Sequence, residues 1–424
     1  MNLAVIGSGG REHSICYKLN QSTKIKKIIC IPGNAGTDKI AKNIEANISD
    51  FEAIYNIIKI NGIDLVIVGP EQPLVNGLVD YLSERKIRVF GPDKFASQLE
   101  GSKGFMKNLC KKYKIPTANF GIFEDLEEAR KFIKKSQLPI VVKADGLAAG
   151  KGVFICNSFD EAYKNAKEVI SGKFKSSNKL VIEEFLEGEE LSYFVIVDEN
   201  SYTFFGEAQD HKRVGEGDTG QNTGGMGAYS PSLLLNKQLE EKIKKKIIEP
   251  TLKAMKDYGH PYKGFLYAGL MVKNNEPYLI EYNIRMGDPE CQVLMMRLKT
   301  DLLEIINSAI NNQLKNLKIE WFKENCITIV LCAKGYPLKY IKDSEIKNLS
   351  KTNLNNNNQI FHAGTYEKNN KIFSSGGRVL NITSLAKDLS AARENSINNL
   401  KMINWNDGFF RKDIGWRVIK NNKS

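Results

Sequence analysis

At 424 residues the chain is too long for one ordinary core and has room for two to four domains. Its composition, 42% hydrophobic and 26% charged, is that of a globular protein, and no apolar run nears the ~20 residues that cross a bilayer, which argues against a membrane role. The formal net charge of +12 lies in stretches such as Lys24-Ile25-Lys26-Lys27 and Lys242-Ile243-Lys244-Lys245-Lys246 without interleaved aromatics; it reads as solvated helix faces and argues against nucleic-acid binding.

The seven cysteines are scattered and include no Cys-x-x-Cys pair, so reduced core thiols are expected instead of a disulfide frame or zinc site. The four histidines are equally dispersed, which leaves oxygen ligands for any metal. A first strand that runs straight into a glycine turn resembles neither a signal nor a transit peptide, and a cytoplasmic enzyme is the simplest class.

In chain order, the apolar segments Leu3 to Ile6, Ile28 to Ile31, Leu65 to Val68 and Val89 to Phe90 alternate with helical stretches, the pattern of a parallel sheet wrapped by helices. The first ends in Gly7-Ser8-Gly9-Gly10-Arg11-Glu12, where close helix packing in a dinucleotide fingerprint wants Gly or Ala in place of Glu12. This is either a phosphate-binding turn, with the Gly9 and Gly10 amides at a helix N-terminus and Arg11 as charge partner, or a plain tight turn. Glu71, after the strand ending at Val68, is a candidate for sugar hydroxyls at the carboxyl end of the sheet, or else a helix N-terminal acid.

Residues 102 to about 137 read as helical with a break at Pro116. A buried strand follows, Pro139 to Lys143, and then a loop, Ala144 to Val153, rich in glycine and lysine and suited to a polyphosphate. It is not a Walker loop, because the Gly-Lys-Ser/Thr ending is missing. The strand from Leu180 leads into the acids Glu183, Glu184, Glu187, Glu189 and Glu190 around Phe185-Leu186, which suit the donor edges of an adenine and ribose, or form a solvated turn. Asp210 to Pro231 reads as a long glycine-rich functional loop, 232 to 258 as helix, and 265 to 272 and 277 to 284 as strands. From Cys326 the tail is strand-rich, with a glycine turn at Ser374 to Val379 and a helix from Asp388 to Ile403.

The densest chemistry lies in Ile280-Glu281-Tyr282-Asn283-Ile284-Arg285-Met286-Gly287-Asp288-Pro289-Glu290. Alternation along Tyr278, Ile280, Tyr282 and Ile284 places Leu279, Glu281 and Asn283 together on the opposite face. Hard oxygen ligands two residues apart on a strand can grip one cation of the magnesium type, which takes its other ligands from water and phosphates.

Together these segments resemble the ATP-grasp superfamily and, within it, the phosphoribosylamine–glycine ligase (glycinamide ribonucleotide synthetase) family. The resemblance is carried, in family order, by Gly7 to His13, Gly69 to Leu74, Leu99 to Lys103, Lys143 to Gly152, Asn222 to Pro231 and Asn283 to Glu290. Met286 and Gln221 depart from the family's usual Phe or Leu and Pro, which bears on local packing more than on activity. The chain ends where a monofunctional bacterial type would.

The resemblance implies an α/β and α+β multidomain fold: an N-terminal parallel α/β sheet domain (1–102), a central ATP-grasp fold (103–325, with a lid about 121–190) and a C-terminal strand-rich α+β domain (326–424). It implies a ligase that joins glycine to 5-phosphoribosylamine with ATP, through glycyl phosphate, in purine biosynthesis. Mg²⁺ or Mn²⁺ would sit on Glu281 and Asn283, and ATP on Lys103, Lys143, Gly150, Lys151, Gly152, Glu183, Glu184, Phe185, Leu186 and Glu190. Gly9, Gly10, Arg11 and Glu71 would hold the phosphoribosyl group, and Asp210, Lys212 and Asp288 the glycine. Arg285 would steady the acyl phosphate, and with Lys143 would form the catalytic pair. The expected partners are these small molecules alone, with no nucleic acid, no membrane and a monomeric chain. Two other readings stay open: an ATP-grasp ligase for a different acid and amine, and a dinucleotide-binding dehydrogenase built on the Gly7 turn.

Overall fold

A computed structural model describes residues 1–147, 152–173 and 178–421. The N-terminal region forms a five-stranded parallel sheet in the order Lys42–Asn43, Lys27–Pro32, Asn2–Gly7, Leu65–Val68 and Val89–Phe90. Leu3, Ala4, Val5 and Ile6 are wholly buried, because helices cover both faces and each strand can be apolar on both sides. Strand order reverses beside Asn2–Gly7, and the turns after Gly7 and Val68 open side by side at that switch point.

Glu12 explains this end of the sheet. On the helix Gly10–Leu19 it is 1% exposed and folds back under both turns. A side chain at Gly7 would collide with it, its Cβ only 2.5 Å from Glu12 Cγ, and Gly69 is filled by the same carboxylate. The residue that spoils a dinucleotide fingerprint is therefore a structural plug that both glycines accommodate.

A four-stranded antiparallel sheet, ordered Phe120–Phe123, Leu180–Glu184, Ile140–Ala144 and Val153–Cys156, packs on the helices Leu126–Lys135 and Phe159–Ile170 around its own core. The first of these strands lies inside the stretch expected to be helical. Phe120-Gly121-Ile122-Phe123 is too short to show a period, and its pairing with Leu180–Glu184 decides its state.

Opposite stands a large antiparallel sheet, in the order Glu276–Asn283, Lys263–Lys273, Glu189–Asp198, Tyr202–Asp210, Gly227–Ser230, Asn325–Ala333, Arg378–Ala386 and Asn358–His362. Gly227–Ser230 bridges Tyr202–Asp210 to Asn325–Ala333, so the central and C-terminal regions share one continuous sheet. The segment 210–231, expected as a structureless loop, also holds the hairpin Arg213–Gly215 with Thr219–Asn222. Asp218 at its tip pairs with Arg411 at 2.9 Å and Arg417 at 2.7 Å, distant partners that local sequence does not reveal. The helix Leu389–Met402, capped by Asp388, lies where expected.

The alternation expected along residues 278–284 is broken. Glu281 pairs with Gly269 but Leu279 pairs with Leu270, so Ile280 is an extra residue, a β-bulge. Leu279 thereby joins Tyr282 and Ile284 in the core, and Ile280 turns to the same side as Glu281 and Asn283. The pairing of Glu281 with Asn283 survives because the bulge precedes both.

Candidate functional site

The two antiparallel sheets and the carboxyl end of the parallel sheet enclose one cleft of about 520 Å³. It is lined by Arg11, Glu71, Lys103, Lys143, Glu183 to Leu186, Glu190, Asp210, Lys212, Glu281, Asn283, Arg285 and Asp288, so residues chosen from distant segments converge. Gly9, Gly10 and Gly152 are not part of its wall, and Gly150 and Lys151 lie outside the described residues.

One end is an apolar slot. Val141 faces Ile155 across one strand pair and Lys143 faces Val153, so all four share a face of the sheet. Phe185, Leu186, Met106, Met271 and Ile280 complete walls suited to a flat heterocycle. Glu183 pairs with Val141 in the neighbouring strand and so stands diagonal to Lys143 on the same face. Lys143 Nζ lies 3.0 Å from both Glu183 carboxylate oxygens.

Lys103 and Lys107, one turn apart on the helix Lys103–Tyr113, reach this end as well. Lys107 has no exposed surface; its Nζ is 3.1 Å from Glu183 Oε2 and donates to Thr117 Oγ1 at 2.6 Å. Burial lowers the Lys107 pKa, and Glu183 pulls it back. Lys103 Nζ donates to the carbonyl of Gly146 at 2.9 Å, and burial lowers its pKa too. Next to it, the Asp145 carboxylate accepts from Gly104 N–H and Ser102 Oγ, tying the small sheet to the start of this helix. Gly152 accepts from Ala144 N–H at 2.8 Å, closing the base of the loop between them.

The middle of the cleft is acidic. Lys212 Nζ stands 2.7 Å from Glu190 and 4.0 Å from Glu281, a lysine shared between the expected ribose acid and the expected metal acid. Burial, reinforced by Glu290, Glu190 and Glu281 and opposed by Lys212, pushes the Asp210 carboxyl up to about 8. Asn283 is 8% exposed, and its side chain has no hydrogen-bond partner among the described residues, so its amide oxygen is free to act as a ligand. No cluster of three or more His, Cys, Asp or Glu suited to a metal occurs among the described residues. A site of Glu281 and Asn283 alone, in excess negative charge, fits a hard cation whose remaining ligands are water and phosphate.

The far end is a web of arginines and carboxylates. Arg285 donates from Nε to Glu71 at 3.2 Å and from NH2 to Glu100 at 2.5 Å, and Glu100 also accepts from Ile284 N–H. Burial raises the Glu100 carboxyl to about 7, whereas Glu71, although burial acts upward on it too, is held at about 2 by Arg285 and Arg11. Arg11 is 2.5 Å from Glu12 through Nε and donates from NH1 to the Met286 carbonyl. In the turn expected to bind phosphate, Gly9 N–H donates to Glu12 Oε2 at 2.6 Å, and Gly10 is buried beside Asn381 and Gln292. The Gly9 amide is thus engaged internally, and of that turn Arg11 lines the cleft. The departure at Met286 concerns packing: its side chain is 1% exposed in the core, while its carbonyl serves both arginines.

Glu100, Lys107 and Arg378 were missed as individual residues. Glu100 lay within a recognised segment but had no role, and Lys107 could have been found from its spacing to Lys103. Arg378 comes from the glycine turn Ser374 to Val379, which carried no chemical signal; its NH1 donates to the carbonyls of Gly224 and Asp288, both at 2.5 Å.

Comparison with known proteins gives a consistent result. Residues 1–100, 101–291 and 326–417 match the N domain, the ATP-grasp (A) domain and the C domain of phosphoribosylglycinamide synthetase. A phosphoribosylamine–glycine ligase of Brucella melitensis is 46% identical over 425 residues, covering 100% of both chains. The chloroplastic phosphoribosylamine–glycine ligase of Arabidopsis thaliana is 45% identical, covering 97% of this chain and 79% of its own. The crystal structure of the Thermotoga maritima phosphoribosylamine–glycine ligase superposes with a TM-score of 0.84 at 33% identity, covering 98% of this chain and 100% of its own. A biotin carboxylase from Campylobacter jejuni, solved as a beta-gamma-ATP complex, shares the fold at a TM-score of 0.75 and 18% identity, covering 99% of this chain and 95% of its own.

Proposed function

Starting from the fact that this chain belongs to the phosphoribosylglycinamide synthetase family, we propose how its cleft performs an ATP-dependent ligation. The enzyme joins glycine to 5-phosphoribosylamine, giving glycinamide ribonucleotide, ADP and phosphate, a step of purine biosynthesis. The observation that carries the reading is that an apolar slot with lysines, an acidic centre and an arginine web line one continuous cleft.

A carboxylate is a poor acyl donor. In the first step a glycine carboxylate oxygen attacks the γ-phosphorus of ATP, ADP departs, and glycyl phosphate forms. In the second, the amine of phosphoribosylamine attacks the acyl carbon, phosphate leaves with that carboxylate oxygen, and the amine gives up a proton. No covalent enzyme intermediate is needed, so the side chains act by positioning and charge neutralisation.

The adenine lies in the slot bounded by Val141, Ile155, Phe185 and Leu186, with Glu183 and Glu184 at the turn and Glu190 toward the ribose. Lys103 and Lys143 meet the phosphates. Glu281 and Asn283 would hold Mg²⁺ or Mn²⁺, which would supply positive charge to the phosphate oxygens. Asp210, Lys212 and Asp288 receive glycine. Arg285, fixed between Glu71 and Glu100, is oriented toward the acyl phosphate, and Arg11 and Glu71 meet the ribosylamine. In this reading residues 1–102, 103–325 and 326–424 divide the work, and the enzyme is a cytoplasmic monomer that acts on small molecules alone.

The test is ADP release measured with glycine and phosphoribosylamine together, with each omitted, and with other acid and amine pairs. Turnover that needs both supports the reading; equal turnover with a different pair transfers the cleft to another ATP-grasp ligation.

A further inference from the structure

We propose that Arg378 is the residue that binds the 5-phosphate of the ribosylamine, an inference that rests on the reading above and adds a binding residue from the C-terminal sheet. The phosphate is the most highly charged group of that substrate and needs donors that are not already engaged. At this end of the cleft most donors are engaged. Gly9 N–H is held by Glu12, Arg11 uses Nε on Glu12 and NH1 on the Met286 carbonyl, and Arg285 uses Nε on Glu71 and NH2 on Glu100.

Arg378 differs. NH1 makes its protein contacts, to the carbonyls of Gly224 and Asp288 and 3.7 Å from Asp288 Oδ1, while Nε and NH2 meet no protein acceptor among the described residues. These two nitrogens form the side-on fork that pairs with two oxygens of a phosphate. The side chain is 22% exposed and lines the cleft.

Gly224 lets the guanidinium lie face-on against the backbone. A Cβ at that position would stand 3.0 Å from Cζ, 3.1 Å from NH2 and 3.3 Å from Nε of Arg378. Beside it, the Tyr336 hydroxyl accepts from Gly224 N–H at 3.0 Å, which leaves its own proton to donate into the same cleft. A guanidinium fork and a phenol thus flank the Gly224 turn on one wall of the cleft.

The experiment titrates ribose 5-phosphate and ribose, in parallel, into the full-length enzyme by calorimetry, with glycine and ATP as controls. The unaltered enzyme is expected to prefer the phosphorylated sugar. Arg378→Met lowers ribose 5-phosphate affinity by about tenfold to a hundredfold, the weight of lost charge-assisted hydrogen bonds, toward that of ribose, with ATP affinity held. Arg378→Lys, a point charge without the fork, falls between. Gly224→Ala, which keeps the charge but presses on the guanidinium face and so displaces the fork, lowers the same affinity and decides the matter should Arg378→Met unfold. Retention of the phosphate preference in both Arg378→Met and Gly224→Ala overturns the proposal, as does a loss confined to glycine, which would make the fork a carboxylate site. If the unaltered enzyme does not distinguish the two sugars, the parent reading of this end of the cleft fails, and this proposal with it.

Discussion

Replacing Lys107 with methionine keeps the length of a side chain that has no exposed surface and removes its charge. Its Nζ lies 3.1 Å from Glu183, itself 4% exposed, and 2.6 Å from Thr117 Oγ1. Removing one partner of a buried ion pair costs ~3–5 kcal/mol when the other is left alone. Glu183 is not left alone, because Lys143 remains 3.0 Å from both its oxygens, and burial already weakens the charged form of Lys107. The expected loss is therefore roughly half that figure, ~2 kcal/mol, still a large part of the ~5–15 kcal/mol that holds a domain folded. A second effect bears on ATP. With Lys107 gone, Lys143 is the one cation left on Glu183 among the described residues and is drawn from the cleft toward it, so the KM for ATP should rise about tenfold, the equivalent of one charge-assisted contact. Urea unfolding gives the first quantity and steady-state kinetics the second. A stability change below ~0.5 kcal/mol with an unchanged KM for ATP would refute the claim that Lys107 supports Glu183 and Lys143.

Other expectations follow from the same geometry. Glu281→Gln, which leaves Asn283 as the one strong oxygen ligand, should lower kcat by ~10²-fold or more and raise the Mg²⁺ concentration needed for half-maximal rate; a normal rate with unchanged metal dependence contradicts the assignment. Burial raises the Glu207 carboxyl to about 7, against the partial compensation of Arg297, so the stability this group confers is full below its unfolded pKa near 4.5 and is lost as pH rises through about 7. Glu207→Gln should thus gain roughly 2–3 kcal/mol on the unaltered protein between pH 4.5 and pH 8, and parallel pH–stability curves would exclude this. Asp218→Asn leaves Arg411, with 1% of its side chain exposed, with Asp413 as its remaining carboxylate partner and takes the carboxylate from Arg417 as well. It should destabilise by ~2–3 kcal/mol and speed amide exchange in Arg213–Gly215 and Thr219–Asn222; unchanged exchange would show that the hairpin is held elsewhere.

What could be read directly from the chain was whatever is written in local period or in short charged runs. The buried strands at Leu3, Ile28 and Leu65, the helix after Asp388 and the Glu281–Asn283 pair are of this kind, since continuous apolar runs, short alternation and capping residues act over a few positions. The rest depends on partners far along the chain. Ile280 shifts the strand phase because Gly269 and Leu270 receive it as a bulge, and the strand at Phe120 exists because Leu180–Glu184 pairs with it. Glu12 was read as a misfit because its host, a gap beneath Gly7 and Gly69, is assembled by two turns about sixty residues apart. Arg378 reaches the cleft because Gly227–Ser230 joins two sheets into one, a connection that no motif announces.

In the proposed chemistry the cleft activates a carboxylate as an acyl phosphate before the amine attacks. Glycine labelled with ¹⁸O in both carboxylate oxygens tests this most directly, by mass analysis of the phosphate and the glycinamide ribonucleotide from one turnover. One labelled oxygen in phosphate and one in the amide carbonyl is the predicted result. Unlabelled phosphate would contradict the account, because the carboxylate oxygen would then not have reached the γ-phosphorus.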